Sequence, residues 1–163
     1  MHVRLLGDLQ LRRGDDGAVL PLPPSRRTRA LLGYLVATGS PQSRAALCDL
    51  LWDGPDDPRA ALRWSLTKLR PLLDSEGRTR LRADRDKVAF EPQDCEVDTV
   101  RITTGLGSAA LAELPLQTLE VAAQALQGAF LEGLDLPGCY RFHQWCMAER
   151  DRFARLRREV LET

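Results

Sequence analysis

Leu62, Leu66, Leu69 and Leu73 recur at intervals of four, three and four residues. That spacing keeps side chains on one face of an α-helix and demands an apolar surface for the face to pack against. Asp57 and Pro58 precede the first of them. An aspartate cap followed by proline at the first helical position starts a helix, so a helix is predicted over 58–73. On it Arg63, Trp64, Thr67 and Lys68 point away from the leucines, and Arg59 and Arg70 flank them. The helix thus has an apolar back and a cationic front that carries one aromatic ring. Pro71 lacks an amide hydrogen and predicts a kink or tightening near Thr67–Arg70.

The surroundings of this helix follow a pattern. Val3, Leu5, Leu9 and Leu11 with turns at Gly7-Asp8 and 14–17, then Val19–Leu22, read as short antiparallel strands. Ser25 caps a first helix with Leu31, Leu32, Leu35 and Val36 on one face, ended by Gly39. Ser43 caps a second helix with Leu47, Leu50 and Leu51 inward. After Gly77, Thr79–Arg82 and Lys87–Phe90 alternate about a turn at 83–86, with Leu81, Val88 and Phe90 inward and Arg80, Arg82 and Lys87 outward. Arg85 stands at the tip. An α+β arrangement of N-terminal antiparallel sheet, three helices and a basic hairpin at 79–90 describes a winged helix-turn-helix over residues 1–94. Residues 98–163 show no clear strand. Leu116–Leu131 reads as one long helix, and Phe142, Cys146, Phe153, Leu156 and Val160 as the stripe of a final one, so this part is all-α.

Charge sharpens the reading. The formal net charge of the 163 residues is zero, yet residues 59–87 hold nine basic side chains against four acidic ones. A local cationic stripe of this kind reads either as a solvated surface or as an anion-binding face. A helix is about 10–12 Å across and fits the ~12 Å major groove of B-DNA, where arginine pairs with guanine. Arg63, Thr67 and Lys68 are candidates for base edges or adjacent phosphates, and Trp64 for a thymine methyl or sugar. Arg59 and Arg70 suit phosphates. Arg80, Arg85 and Lys87 place the hairpin on the backbone or in the minor groove. Ser43 and Arg44 offer a hydroxyl and free amides to a phosphate.

Other chemistries find little support. The chain has two histidines and no Ser/His/Asp or paired-carboxylate pattern, so no enzyme is expected. Gly105-Leu106-Gly107 lacks the third glycine of a phosphate loop and follows no strand, so no cofactor is expected. Cys139, His143 and Cys146 share a helix face at i, i+4, i+7, but no CxxC pair accompanies them, and they read as a thiol-lined helix interface rather than a metal site. No apolar run approaches 18 residues, and Met1-His2-Val3-Arg4 lacks the pattern of a secretory signal. No membrane association and a cytoplasmic location are the expectations.

Val3-Arg4-Leu5-Leu6-Gly7, Arg26-Arg27-Thr28-Arg29-Ala30-Leu31-Leu32, Leu50-Leu51-Trp52 and the run from Ala60 to Arg70 together resemble the OmpR-type winged-helix domain. The whole chain resembles the antibiotic regulatory protein (SARP-type) family, in which that domain is joined to a helical bacterial transcriptional activator domain. Phe130-Leu131-Glu132-Gly133-Leu134 and the aromatic-rich Tyr140–Arg150 carry the likeness in the second part. The resemblance implies domains at 1–94 and 95–163, the second built of tetratricopeptide-like helical hairpins and stopping inside a helical pattern where the family often continues. It implies sequence-specific binding of double-stranded DNA, with a recognition helix at 58–73 and a wing at 79–90. It implies that the loop between the second and third helices touches RNA polymerase, here through Asp53, Asp56 and Asp57. A homodimer through or near the helical part is a further expectation. Trp64 departs from the basic residue expected there. It favours a second reading, in which the fold serves as an interaction or scaffold module of a larger signalling protein that no longer binds DNA.

Overall fold

A computed structural model describes residues 1–14, 16–54, 57–75, 77–92 and 94–163. The chain is α+β. Strand β1 (His2–Arg4) runs antiparallel to β2 (Gln10–Arg12), which pairs with β3 (Val19–Leu20). Helix α1 (Arg26–Thr38) follows, then β4 (Gln42–Ser43), α2 (Arg44–Leu51) and α3 (Pro58–Leu73). A hairpin of β5 (Leu81–Ala83) and β6 (Lys87–Phe90) leads to β7 (Glu96–Val97), α4 (Asp98–Leu106), α5 (Leu116–Ala125) and α6 (Tyr140–Glu162).

Local chemistry accounts for the first three helices. The Ser25 hydroxyl accepts from Thr28 N–H at 3.3 Å, the Ser43 hydroxyl from Ala46 N–H at 2.9 Å, and the Asp57 carboxylate from Ala60 N–H at 3.1 Å. Each satisfies a first-turn amide that the helix itself leaves without a partner. Gly39 closes α1 in the left-handed region (φ 62°), donating its N–H to Leu35 O. Helix α3 passes through Pro71 and remains α-helical to Leu73. Leu62, Leu66, Leu69 and Leu73 are all buried as the spacing requires. The one polar pair beneath them, Thr28 Oγ1 and Ser65 Oγ, is 2.8 Å apart and joins α1 to α3.

Two small sheets frame these helices. The order β4-β6-β5 is antiparallel throughout. The order β3-β2-β1-β7 is mixed, because β7 pairs parallel with β1, His2 opposite Glu96 and Val3 opposite Val97. The antiparallel pairing expected within the N-terminal strands is found, and β7 adds a parallel strand to them that the sequence did not indicate. A parallel partner needs a long crossover, and here the crossover is everything between residues 4 and 96.

The segment after residue 95 is thereby tied into the first sheet. Asp98, the first residue of α4, accepts from Leu5 N–H at 2.9 Å and Leu6 N–H at 2.9 Å. The expected long helix over Leu116–Leu131 is also corrected. Helix α5 ends at Ala125, and Phe130 forms a single antiparallel bridge with Leu6, just past β1, before a turn in which Leu131 takes a left-handed φ of 45°; Gly7 N–H donates to Ala129 O and Leu131 N–H to Leu5 O, both at 2.8 Å. A Cβ on Gly128 would stand 2.5 Å from Gly7 N, so the two backbones meet where only glycine fits. Phe130, 1% exposed, anchors the segment among Trp145 and Phe153. Arg150 holds it from α6, donating to Phe130 O and Leu131 O at 2.9 and 2.8 Å. Helix α6 lies on α2, where the Cys139 thiol donates to Leu51 O at 3.3 Å. The buried apolar side chains of all these elements form one continuous core. Among the described residues no helix is long and apolar enough to cross a membrane.

Candidate nucleic-acid interface

The exposed side of α3 is set by the burial of its leucines. Arg59, Arg63, Trp64, Thr67, Lys68 and Arg70 are all exposed on it. Among the described residues no carboxylate pairs with Arg59, Arg63 or Lys68. Trp64 is 50% exposed, and the Lys68 ammonium lies 5.4 Å from its ring centroid, which holds the indole against the helix. The Thr67 hydroxyl donates back to Arg63 O at 2.9 Å, so it is occupied within the helix. Arg70 is partly engaged, with Asp74 at 3.6 Å and Leu81 O at 3.3 Å.

The hairpin is fastened to α3 by Asp74, whose carboxylate accepts from Arg80 N–H and Leu81 N–H at 2.8 and 3.0 Å. Its tip is shaped by Asp84. That carboxylate accepts from Asp86 N–H and Lys87 N–H at 2.7 and 2.8 Å. These two hydrogen bonds hold the Asp84 carboxyl below its usual range. Arg85 projects from the turn between two acidic neighbours, and Lys87 is exposed beside it.

The start of α2 meets the same turn. Ser43 pairs with Lys87 across β4 and β6, Arg44 N–H donates to Asp86 O at 2.8 Å, and Arg44 Nε to Asp84 O at 2.8 Å. Ser43, Arg44, Arg85 and Lys87 are thus brought together, which the sequence alone did not indicate. The only trace of β4 was the Ser40-Pro41 break before Gln42. Two of the amides expected to be free at this helix start are occupied: Arg44 N–H serves the hairpin and Ala46 N–H serves Ser43.

Arg80 is the clearest correction. Expected outward, it is 6% exposed. Its guanidinium forks onto Asp94, Nε to Oδ1 at 2.9 Å and Nη2 to Oδ2 at 2.6 Å, and donates to Leu73 O at 2.7 Å. The strand begins only at Leu81, so the alternation that sends Arg82 out does not extend back to Arg80. Arg82 is exposed and paired with Glu91 at 2.7 Å.

Of the acidic loop, Asp53 and Asp57 are exposed, and Asp57 is the cap of α3. Asp56 lies outside the described residues. The three residues at 139, 143 and 146 do not converge: Cys139 and Cys146 are buried and His143 is exposed. Burial pushes the Cys146 thiol up, which keeps it protonated and inert. No family model matches the sequence, and no curated protein matches it.

Proposed function

We propose that this chain is a sequence-specific DNA-binding transcriptional regulator of the SARP type. In this reading residues 1–94 form an OmpR-type winged helix-turn-helix and residues 95–163 a helical, tetratricopeptide-like activator domain. Helix α3 enters the major groove. The β5–β6 hairpin lies along the backbone or in the minor groove, and Asp53 and Asp57 face RNA polymerase. The observation that carries the reading is the solvent face of α3: three cations without carboxylate partners among the described residues, on a helix whose back is sealed in the core. Cations left unpaired are available to phosphates and base edges. The 50% exposure of Trp64 favours a second reading, a protein-interaction module, since aromatic rings are enriched in protein interfaces.

Fluorescence anisotropy of the chain against duplex DNA from upstream of its own gene, titrated at several salt concentrations, separates the two. Phosphate contacts give a loss of about 0.9 log units of affinity per neutralised phosphate for each tenfold rise in salt. No binding at low salt sinks the regulator reading. Arg63→Ala is expected to weaken specific binding by about 1–3 kcal/mol while leaving non-specific binding little changed; equal losses would demote Arg63 to a phosphate contact. Arg85→Ala is expected to lower affinity and to reduce the salt slope by about one. An unchanged slope would place that side chain off the DNA.

A further inference from the structure

The solvent face of α3 carries a second apolar stripe opposite the leucines. Ala60, Trp64, Thr67 and Pro71 recur at intervals of four, three and four residues, the same rhythm as the buried stripe. At 3.6 residues per turn they fall within about 60° of one another and roughly 160° from the leucines. Trp64 is half-exposed, Thr67 and Pro71 are exposed, and Ala60 is partly exposed. Because the Thr67 hydroxyl is spent on Arg63 O, that side chain offers its methyl group outward. Pro71 has no N–H to offer, and its ring is apolar. Arg59, Arg63 and Arg70 run along one flank of the stripe and Lys68 along the other.

An apolar ridge bordered by cations on both sides matches a surface that is anionic at its rims and locally apolar at its floor. The major groove has this character wherever thymine presents its C5-methyl between two phosphate backbones. A protein partner would need carboxylates at both borders of its own apolar patch. We infer that the Ala60–Trp64–Thr67–Pro71 stripe reads thymine methyl groups in the major groove, with Trp64 and Thr67 as the contacting residues. The inference rests on the DNA-binding reading and gives it a base preference. The arginine flank alone, whose best partner is guanine, does not supply this preference.

The test uses the intact chain. Duplexes are enriched from a random-sequence pool, and the best binder is resynthesised with uracil replacing thymine at one position at a time. Uracil differs from thymine only by the methyl group. At one or two positions affinity is expected to fall about three- to fivefold, the effect of one buried methyl. In Trp64→Ala the thymine and uracil forms are expected to bind equally at the affected position. Thr67→Ser keeps the hydroxyl bond to Arg63 O, removes the methyl, and is expected to erase the difference at its own position. Both side chains stand off the core, and a melting curve checks that each variant folds. Uracil forms that bind as well as thymine forms throughout would overturn the inference while leaving the DNA reading intact. So would a thymine preference that survives at every position in both Trp64→Ala and Thr67→Ser. Self-association of the chain that disappears in Trp64→Ala, with no thymine preference, would assign the stripe to a protein contact instead. If no duplex binds with a steep salt dependence, the DNA reading itself falls.

Discussion

Arg80→Ala is expected to destabilise the protein by about 3 kcal/mol, because it removes a buried guanidinium whose hydrogen bonds tie the end of α3 and the solvent-exposed Asp94 to the hairpin. Four acceptor atoms lose a donor at once: both oxygens of Asp94, the Ser75 hydroxyl and the carbonyl of Leu73, the last residue of α3. A loss of that size lowers Tm by roughly 10 °C in a chain of this length, which a thermal melt reads directly. Arg80→Lys is not expected to rescue it, since an ammonium cannot reproduce the two-pronged contact with Asp94. The same pair sets an acid dependence. Hydrogen bonds from Arg80, then from Arg78, hold the Asp94 carboxyl well below the usual carboxylate range. A carboxyl with a depressed value in the folded state stabilises fully above its unfolded value of about 4 and loses that contribution as pH falls further. Stability should therefore drop below about pH 4 in the parent chain, and less steeply in Arg80→Ala. A melt that matches the parent would contradict the burial of Arg80. Under the proposed DNA-binding reading, the folded variant should keep the parent's salt slope for DNA, because Arg80 faces inward.

Gly128→Ala is expected to cost about 3 kcal/mol through overpacking. The new methyl would meet Gly7 N at 2.5 Å, Gly7 Cα at 2.6 Å and Leu6 C at 3.0 Å. These are backbone atoms, which cannot rotate aside as a side chain would. The 128–132 segment must lift from Leu5–Gly7, stretching the Gly7–Ala129 and Leu131–Leu5 hydrogen bonds together. Hydrogen exchange at the Gly7 and Leu131 amides should accelerate with the fall in Tm. A variant that melts with the parent and keeps both amides protected would show that the two backbones have room to spare.

What the sequence made legible was local. Ser25, Ser43 and the Asp57-Pro58 pair mark helix starts because a cap acts within three residues, and α3 spans 58–73 as its leucines require. The exposed face of α3 and the tip position of Arg85 follow from the same short-range geometry. The misreadings come from distant partners. Leu119, Ala122, Leu126 and Phe130 sustain a helical rhythm, yet the backbone leaves the helix, and Ala129, Phe130 and Leu131 pair instead with Leu5–Gly7 just past β1. Strands β4 and β7 are two residues each, too short for any alternation to register. Arg80 looked like a wing residue because its partner, Asp94, lies 14 residues further on. The convergence of Arg44 with the hairpin turn, 40 residues apart in the case of Asp84, has no signature in either segment.

The parallel seam between β1 and β7 has a kinetic meaning. The hairpin that pairs β1 with β2 closes locally and quickly, on the microsecond scale typical of such pairs. The other edge of β1 must wait for Val97, and Leu5 for an aspartate 93 positions away. The entropy of closing so long a loop is spent before any of those contacts can form. Until then β1 presents one open row of amides and carbonyls with Val3 and Leu5 beside it, the surface on which partly folded copies of a chain pair with each other. Refolding is therefore expected to show a slow, concentration-sensitive phase at this seam, which stopped-flow refolding at several protein concentrations would read.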